Sequence, residues 1–319
     1  MPKIVFLDAL TLGNVSNIDI FKELGELTIY QTTSPEKVIE RSKEADIIIT
    51  NKVIIDKNII DNCPNLKLIC LTATGMNNVD LDYARKKNIS VKNVSNYSTE
   101  SVAQTTFAML LNLITHINYF DNYVKSFQYC NSEIFTHYGR TFSLLAGKTF
   151  GIIGMGNIGK RVAEIATTFG CKVIYYSTTG KNQVNNYKNV DFDTLIEQSD
   201  IISIHCPLND KTKNLIRYEH FKKMKSITYI LNLGRGGIIN EYDLARAIDE
   251  NLIAGAATDV FSKEPPDKNH PLLNIKNKDK LILTPHIAWA AIECRELLIQ
   301  KVYDNIKDFI KNTFNNKNL

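Results

Sequence analysis

No apolar run in this chain is long enough to cross a membrane, and the N-terminal stretch MPKIVFLDAL pairs a short apolar run with an acidic residue. Neither a span nor a signal peptide is expected. Charge of one sign is not in excess: 38 Lys and Arg against 34 Asp and Glu leave a net charge of +4, and the cations are dispersed. A nucleic-acid footprint needs a basic patch, so that partner class is set aside. Cysteines are few, six at positions 63, 70, 130, 171, 206 and 294, with no C-x-x-C pair and no regular framework. They read as reduced core residues of a cytosolic protein. No His, Cys, Asp and Glu cluster has metal-ligand spacing, so no catalytic metal is expected. Internal repeats and long linkers are missing too.

What remains is a globular composition, 44% hydrophobic and 23% charged, in 319 residues, too long for one ordinary core. Two domains follow. Over the first hundred residues the apolar runs KIVFLDA, LTIYQ, ADIIIT, LKLICLTATG and ISVKNV alternate with amphipathic stretches, which predicts a parallel sheet covered on both faces. TESVAQTTFAMLLNLITHI, opened at Thr99 by a capping pattern, predicts a helix of several turns that could bridge the domains. From Gly147 the runs GKTFGIIG, KVIYYS, DIISIHC, TYILNLG, IAGAATDVF and KLILTPH repeat the alternation and match a six-stranded Rossmann sheet. The amphipathic tail from Ala291 predicts a helix packing back on the first domain. The expected division is 1–98 completed by 290–319, and 99–289. Ligand sites lie at the carboxyl edges of such sheets, which predicts a cleft between the domains.

GIIGMGNIGKRVAEIATTFG sets Gly154, Gly156 and Gly159 in a G-x-G-x-x-G pattern after a buried strand. Ile158, Val162, Ile165 and Phe169 then recur at helical spacing until Gly170. In that context the glycines let backbone N–H groups approach a pyrophosphate at the positive end of the helix. A tight turn without a ligand is the weaker reading. An NAD site usually carries an acidic residue about 20 positions on. Here Ser177 takes that place, followed by Thr178, Thr179, Gly180 and Lys181. The hydroxyls and the lysine could receive the 2′-phosphate of NADP; equally, Ser177 could bond the ribose of NAD while Lys181 is a solvated loop charge.

Arg235 stands between glycines after TYILNLG, Glu264 follows IAGAATDVF, and His286 follows KLILTP. Singly, these are a loop cation, a surface carboxylate and a satisfied histidine. Three on one sheet edge, beside a nucleotide loop, point to chemistry. Reducing a carbonyl needs a proton on oxygen as hydride reaches carbon, which suits histidine near neutrality. A carboxylate beside it fixes the ring and favours imidazolium, and a guanidinium can grip a substrate carboxylate or carbonyl oxygen.

The ordered motifs GIIGMGNIG, DIISIHCPL, LNLGRGGIIN, ATDVFSKEPP and TPHIAW resemble the D-isomer-specific 2-hydroxyacid dehydrogenase family over nearly the whole chain. ATGMNNVD at 73–80 and SVAQTTFAMLL from Ser101 look most like its glycerate dehydrogenase and hydroxypyruvate reductase branch. The resemblance implies a Rossmann dinucleotide-binding domain and a flavodoxin-like substrate domain, in a homodimer with the helix from Ser101 in its interface; the cysteines add the expectation that it is cytoplasmic. The implied activity is NAD- or NADP-dependent hydride transfer between a small D-2-hydroxy acid and its 2-oxo acid, glycerate with hydroxypyruvate or glyoxylate first.

By the same resemblance Arg235, Glu264 and His286 are catalytic, with His286 the proton donor in reduction. The backbone of Ala73, Thr74 and Gly75 holds the substrate carboxylate. Asn157 and Ile158 meet the pyrophosphate, Pro207 and Thr212 border the adenosine, Leu233 and Gly234 touch the cofactor, and Asp259 lies near the nicotinamide amide. Ser177 departs from the usual aspartate. A short phosphoglycerate dehydrogenase is one alternative. An NAD(H)-sensing corepressor of the same fold is another, although no basic run or long unstructured tail favours it. A formate dehydrogenase would have glutamine at Glu264. His116 is expected as a packed or interface histidine, His205 as part of the cofactor wall, and Trp289 as a core residue.

Overall fold

Five short strands, β1 (Lys3–Phe6), β2 (Glu26–Ile29), β3 (Ile47–Thr50), β4 (Leu68–Leu71) and β5 (Ser90–Lys92), form an all-parallel sheet in the order β2-β1-β3-β4-β5. That is the flavodoxin-like order. Every residue of β3 and β4 is buried, so both read as near-continuous apolar runs rather than alternating ones, β3 closing on Thr50. This computed structural model describes residues 1–180 and 184–314. The sheet belongs to a unit made of Met1–Ser98 and the chain from Ala290. Within that unit the helix Ile292–Phe314 packs against β4, burying Leu298, Ile299, Val302 and Ile306 at helical spacing. Glu296 accepts bonds from Ser16 and Asn17, and the Tyr303 hydroxyl donates to Glu23.

The second unit, Thr99–Trp289, holds a parallel sheet of seven strands: β6 (Thr149–Ile153), β7 (Lys172–Tyr176), β8 (Lys188–Asn189), β9 (Ile201–Ile204), β10 (Tyr229–Asn232), β11 (Gly255–Thr258) and β12 (Leu281–Leu283). Their order is β12-β11-β10-β9-β6-β7-β8. The seventh strand, β8, is two exposed polar residues and carries no apolar signal to predict it. The chain runs from β6 outward through β7 and returns as β9 on the other side of β6, so the strand order reverses between β6 and β9. A crevice for a ligand opens at such a reversal, beyond the carboxyl ends of the strands.

The expected long helix spans Thr99–Thr115 and begins this unit. It stops because His116 turns left-handed, at φ 52°, before a second helix, Ile117–Lys125. Cys63, Cys70, Cys171, Cys206 and Cys294 are buried, but Cys130 is exposed on the turn Gln128–Asn131, against the expectation that all six pack in the core. Its neighbours Gln128 and Asn131 are polar, and the segment builds no core of its own. No described helix is long and apolar enough to cross a membrane.

Candidate active site

The glycines after β6 differ in what they make room for. Gly154 has φ 96°, and a Cβ on it would lie 2.7 Å from the Cys206 nitrogen, just past β9. A Cβ on Gly159 would overlap the Gly154 carbonyl oxygen. These two lack side chains because backbone meets backbone. Around Gly156 nothing lies within 4 Å of the Cβ position. Gly156 is also the N-cap of the helix Asn157–Thr168 and supplies no capping side chain, and no acidic residue sits in the first turn. Open space beside the N–H groups of a helix terminus is what a pyrophosphate needs. Asn157 is exposed there, while Ile158 is half-buried against the core.

At the end of β7, Ser177 opens a turn whose Gly180 N–H reaches the Ser177 carbonyl at 3.4 Å. Ser177 and Thr178 are half-buried and Thr179 is exposed; Lys181 lies outside the described residues. No carboxylate stands at 177–180. Across the switch point, the Thr212 hydroxyl donates to the Pro207 carbonyl at 2.7 Å and accepts from the Asn209 N–H at 2.8 Å. Thr212 is 1% exposed, so it shapes the loop presenting Pro207. His205 bonds the Ser203 hydroxyl through Nε2 at 2.7 Å, and its enclosed Nδ1 has no partner among the described residues. Burial pushes its pKa down to about 3, so the ring is neutral near pH 7 and does not serve as an imidazolium acid.

Arg235, Glu264 and His286 follow β10, β11 and β12, three adjacent strands. Buried Asn232 ties the first turn together, accepting from the Gly234 N–H at 3.1 Å and donating to the Arg235 carbonyl at 2.9 Å. Sequence reasoning missed this asparagine, which its place inside an apolar run conceals. Leu233 is buried, and a Cβ on Gly234 would come within 3.1 Å of the Cys206 carbonyl. The Arg235 guanidinium is exposed, bonds the Gly234 carbonyl at 2.8 Å and has no carboxylate partner among the described residues. It is available to an anion.

Glu264 and His286 are in direct contact, Oε2 to Nδ1 at 2.7 Å, with side chains 32% and 25% exposed. The other carboxylate oxygen accepts the Phe261 N–H at 3.0 Å. An ionised Glu264 holds the hydrogen on Nδ1, which leaves Nε2 for a reacting atom. His286 sits at φ 55°, a conformation that costs a non-glycine residue about 1 kcal/mol. Asp259 keeps it there. The Asp259 carbonyl accepts the His286 N–H at 2.8 Å, and its carboxylate accepts the Thr284 hydroxyl and the N–H groups of Ile287 and Ala288 at 2.6 to 2.8 Å. Burial raises the pKa of this carboxyl, and those bonds pull against the rise. Expected beside a nicotinamide, Asp259 is engaged in building the turn that aims the histidine.

In the first unit, the Ala73 and Thr74 carbonyls accept from Val94 and Asn93, while the Thr74 hydroxyl donates to Val94. The N–H groups of Ala73, Thr74 and Gly75 have no acceptor among the described residues. Successive free N–H groups suit an anion. Trp289 is half-buried and packs against the core of the second unit. Half-buried His116 links two helices, its pKa lowered mainly by burial.

A family model described as "D-isomer specific 2-hydroxyacid dehydrogenase, NAD binding domain" matches residues 107–288. A hydroxypyruvate reductase of Blautia hydrogenotrophica is 37% identical over 317 residues, covering 97% of this chain and 97% of that one. Among solved structures, the D-lactate dehydrogenase of Aquifex aeolicus, complexed with NAD and lactic acid, is similar with a TM-score of 0.84 at 28% identity, over 98% of this chain and 96% of that one. An acyclic imino acid reductase in complex with NADPH and D-Arg gives 0.85 at 29% identity, over 97% of each chain.

Proposed function

Because the chain belongs to the D-isomer-specific 2-hydroxyacid dehydrogenase family, oxidoreductases that move hydride between a nicotinamide cofactor and a 2-hydroxy acid, we propose that it reduces a small 2-oxo acid. Hydroxypyruvate, the substrate in the name of the Blautia relative, is the first choice, and glyoxylate the second. The observation that carries this reading is the 2.7 Å contact between Glu264 and His286, which leaves Nε2 free to act.

The nicotinamide cofactor supplies the hydride when bound. Gly154, Gly156, Asn157, Ile158 and Gly159 hold its pyrophosphate at the uncapped helix, with Ser177, Pro207, Leu233 and Gly234 around the rest. His286 gives the proton to the carbonyl oxygen through Nε2, and in the reverse direction takes it from the hydroxyl. Glu264 holds Nδ1–H and so fixes the ring with Nε2 toward the reacting oxygen. Arg235 polarises the carbonyl or grips the carboxylate by its planar fork, and the N–H groups of Ala73, Thr74 and Gly75 hold the carboxylate. The second unit is thus the dinucleotide-binding domain and the first the substrate domain. With no carboxylate at Ser177 to repel a 2′-phosphate, the site admits NADPH as well as NADH.

We read the working form as a cytoplasmic homodimer. The apolar residues that support it lie after the long helix: Phe127, Phe135, Tyr138, Phe142 and Leu144 are all more than half exposed.

Purified protein is tested for oxidation of NADH and NADPH with hydroxypyruvate, glyoxylate and pyruvate, and for the reverse reaction with glycerate and 3-phosphoglycerate. Rapid turnover of a 2-oxo acid is expected. Cofactor binding without turnover across a widened panel would overturn the enzyme reading in favour of a nucleotide sensor.

A further inference from the structure

A second acid and imidazole pair lies beside the first. Glu241 is the first residue of the helix Glu241–Asp249, six residues after Arg235. Its Oε1 accepts the Ser262 N–H at 2.7 Å, and its Oε2 accepts the Ser262 hydroxyl at 2.5 Å and meets His270 Nε2 at 2.9 Å. The two side chains are 12% and 10% exposed, more enclosed than Glu264 and His286. On the far side of the ring, His270 Nδ1 accepts the Leu272 N–H at 3.3 Å. Because Nδ1 accepts, the hydrogen of a neutral His270 sits on Nε2 and points at Glu241. The Phe261 ring meets the His270 ring edge-on, 5.3 Å between centroids.

What this pair grips is the base of the Glu264 loop. Glu241 accepts from both hydrogen-bond donors of Ser262, and the N–H of the preceding residue, Phe261, donates to Glu264 itself. The same short backbone lies against the arginine loop, since a Cβ on Gly236 would overlap the Phe261 carbonyl and the Ser262 nitrogen. We propose that Glu241 and His270 are positioning residues for the reaction. They lock Phe261 and Ser262 between the loops of Arg235 and Glu264, and so fix the carboxylate that holds His286. This rests on reading Glu264 and His286 as the catalytic pair.

Two variants separate this role from mere folding. Glu241→Gln turns an amide N–H₂ toward Ser262 or His270, and one of those donor contacts is lost. His270→Asn keeps an oxygen where Nδ1 accepts from Leu272, so the local turn survives, but the side chain no longer reaches Glu241. For both, kcat for 2-oxo acid reduction should fall about 10- to 100-fold, the cost of a carboxylate misplaced by about an ångström, while the Kd for NADH stays unchanged. Glu264→Gln alone sets the reference. If Glu241 acts through Glu264, adding Glu241→Gln to Glu264→Gln lowers kcat little further.

Unchanged kcat in His270→Asn, or losses that multiply fully in the double variant, would overturn the positioning role while leaving the catalytic pair intact. A Glu264→Gln variant as fast as the parent would instead remove the reading on which it rests.

Discussion

His286 meets Glu264 through Nδ1 at 2.7 Å while its own backbone N–H donates to the Asp259 carbonyl at 2.8 Å, so one residue is held at both ends by acidic residues from the loop after β11. The ring is oriented by the first and the left-handed backbone by the second. His286→Ala should lower reduction by about 10²- to 10⁴-fold with cofactor binding retained, and Glu264→Gln should fall toward the same range. Steady-state rates beside NADH titrations check this; a His286→Ala variant turning over near the parent rate would end the proton-donor assignment.

The glycine loop makes a graded prediction. Gly159→Ala drives a methyl into the Gly154 carbonyl and should destabilise the protein by about 1–3 kcal/mol. Gly156→Ala meets nothing, so the melting midpoint should hold while the Kd for cofactor rises. Equal loss of stability in both would mean that the open space at Gly156 has no ligand to serve.

Ser177→Asp places a carboxylate where a 2′-phosphate would lie. NADPH use relative to NADH should drop by at least about tenfold, as like charges brought together repel. A ratio of kcat/KM values that does not move would place the adenosine end elsewhere.

Burial holds His205 neutral, its pKa lowered from 6.5 to about 3. An unfolded chain takes up the proton first as pH falls, so the stability from this group is complete above about 6.5 and is lost progressively toward 3. His205→Gln should lessen the acid destabilisation in that window by roughly 1–3 kcal/mol. Urea midpoints near neutrality and within the window test it; identical pH dependence in both proteins would show that His205 is not the group responsible.

Phe135 is 90% exposed and Tyr138 77%. If they pack against a second copy, the double variant Phe135→Glu, Tyr138→Glu should sediment as a monomer where the parent sediments as a dimer. Identical sedimentation of parent and variant would move the interface away from this segment.

The sequence by itself determined the central strands, because a parallel sheet covered on both faces is built from near-continuous apolar runs such as III and LICL. It also determined the three residues at the strand ends and the glycine loop, since both depend on chain position relative to a strand. Tertiary structure decided the rest. β8 is two polar residues and exists only because Ile174 and Tyr175 of β7 offer an edge to pair with. Asn232 was hidden by the apolar run around it, Asp259 was legible as a residue but not as the support of the His286 turn, and the hydrogen bonds that give both a purpose form only when separate loops meet. Glu241 and His270 stand 29 positions apart, as do many residues that never touch. No spacing rule joins them; only the folding of two neighbouring strand–loop segments brings that carboxylate to that ring.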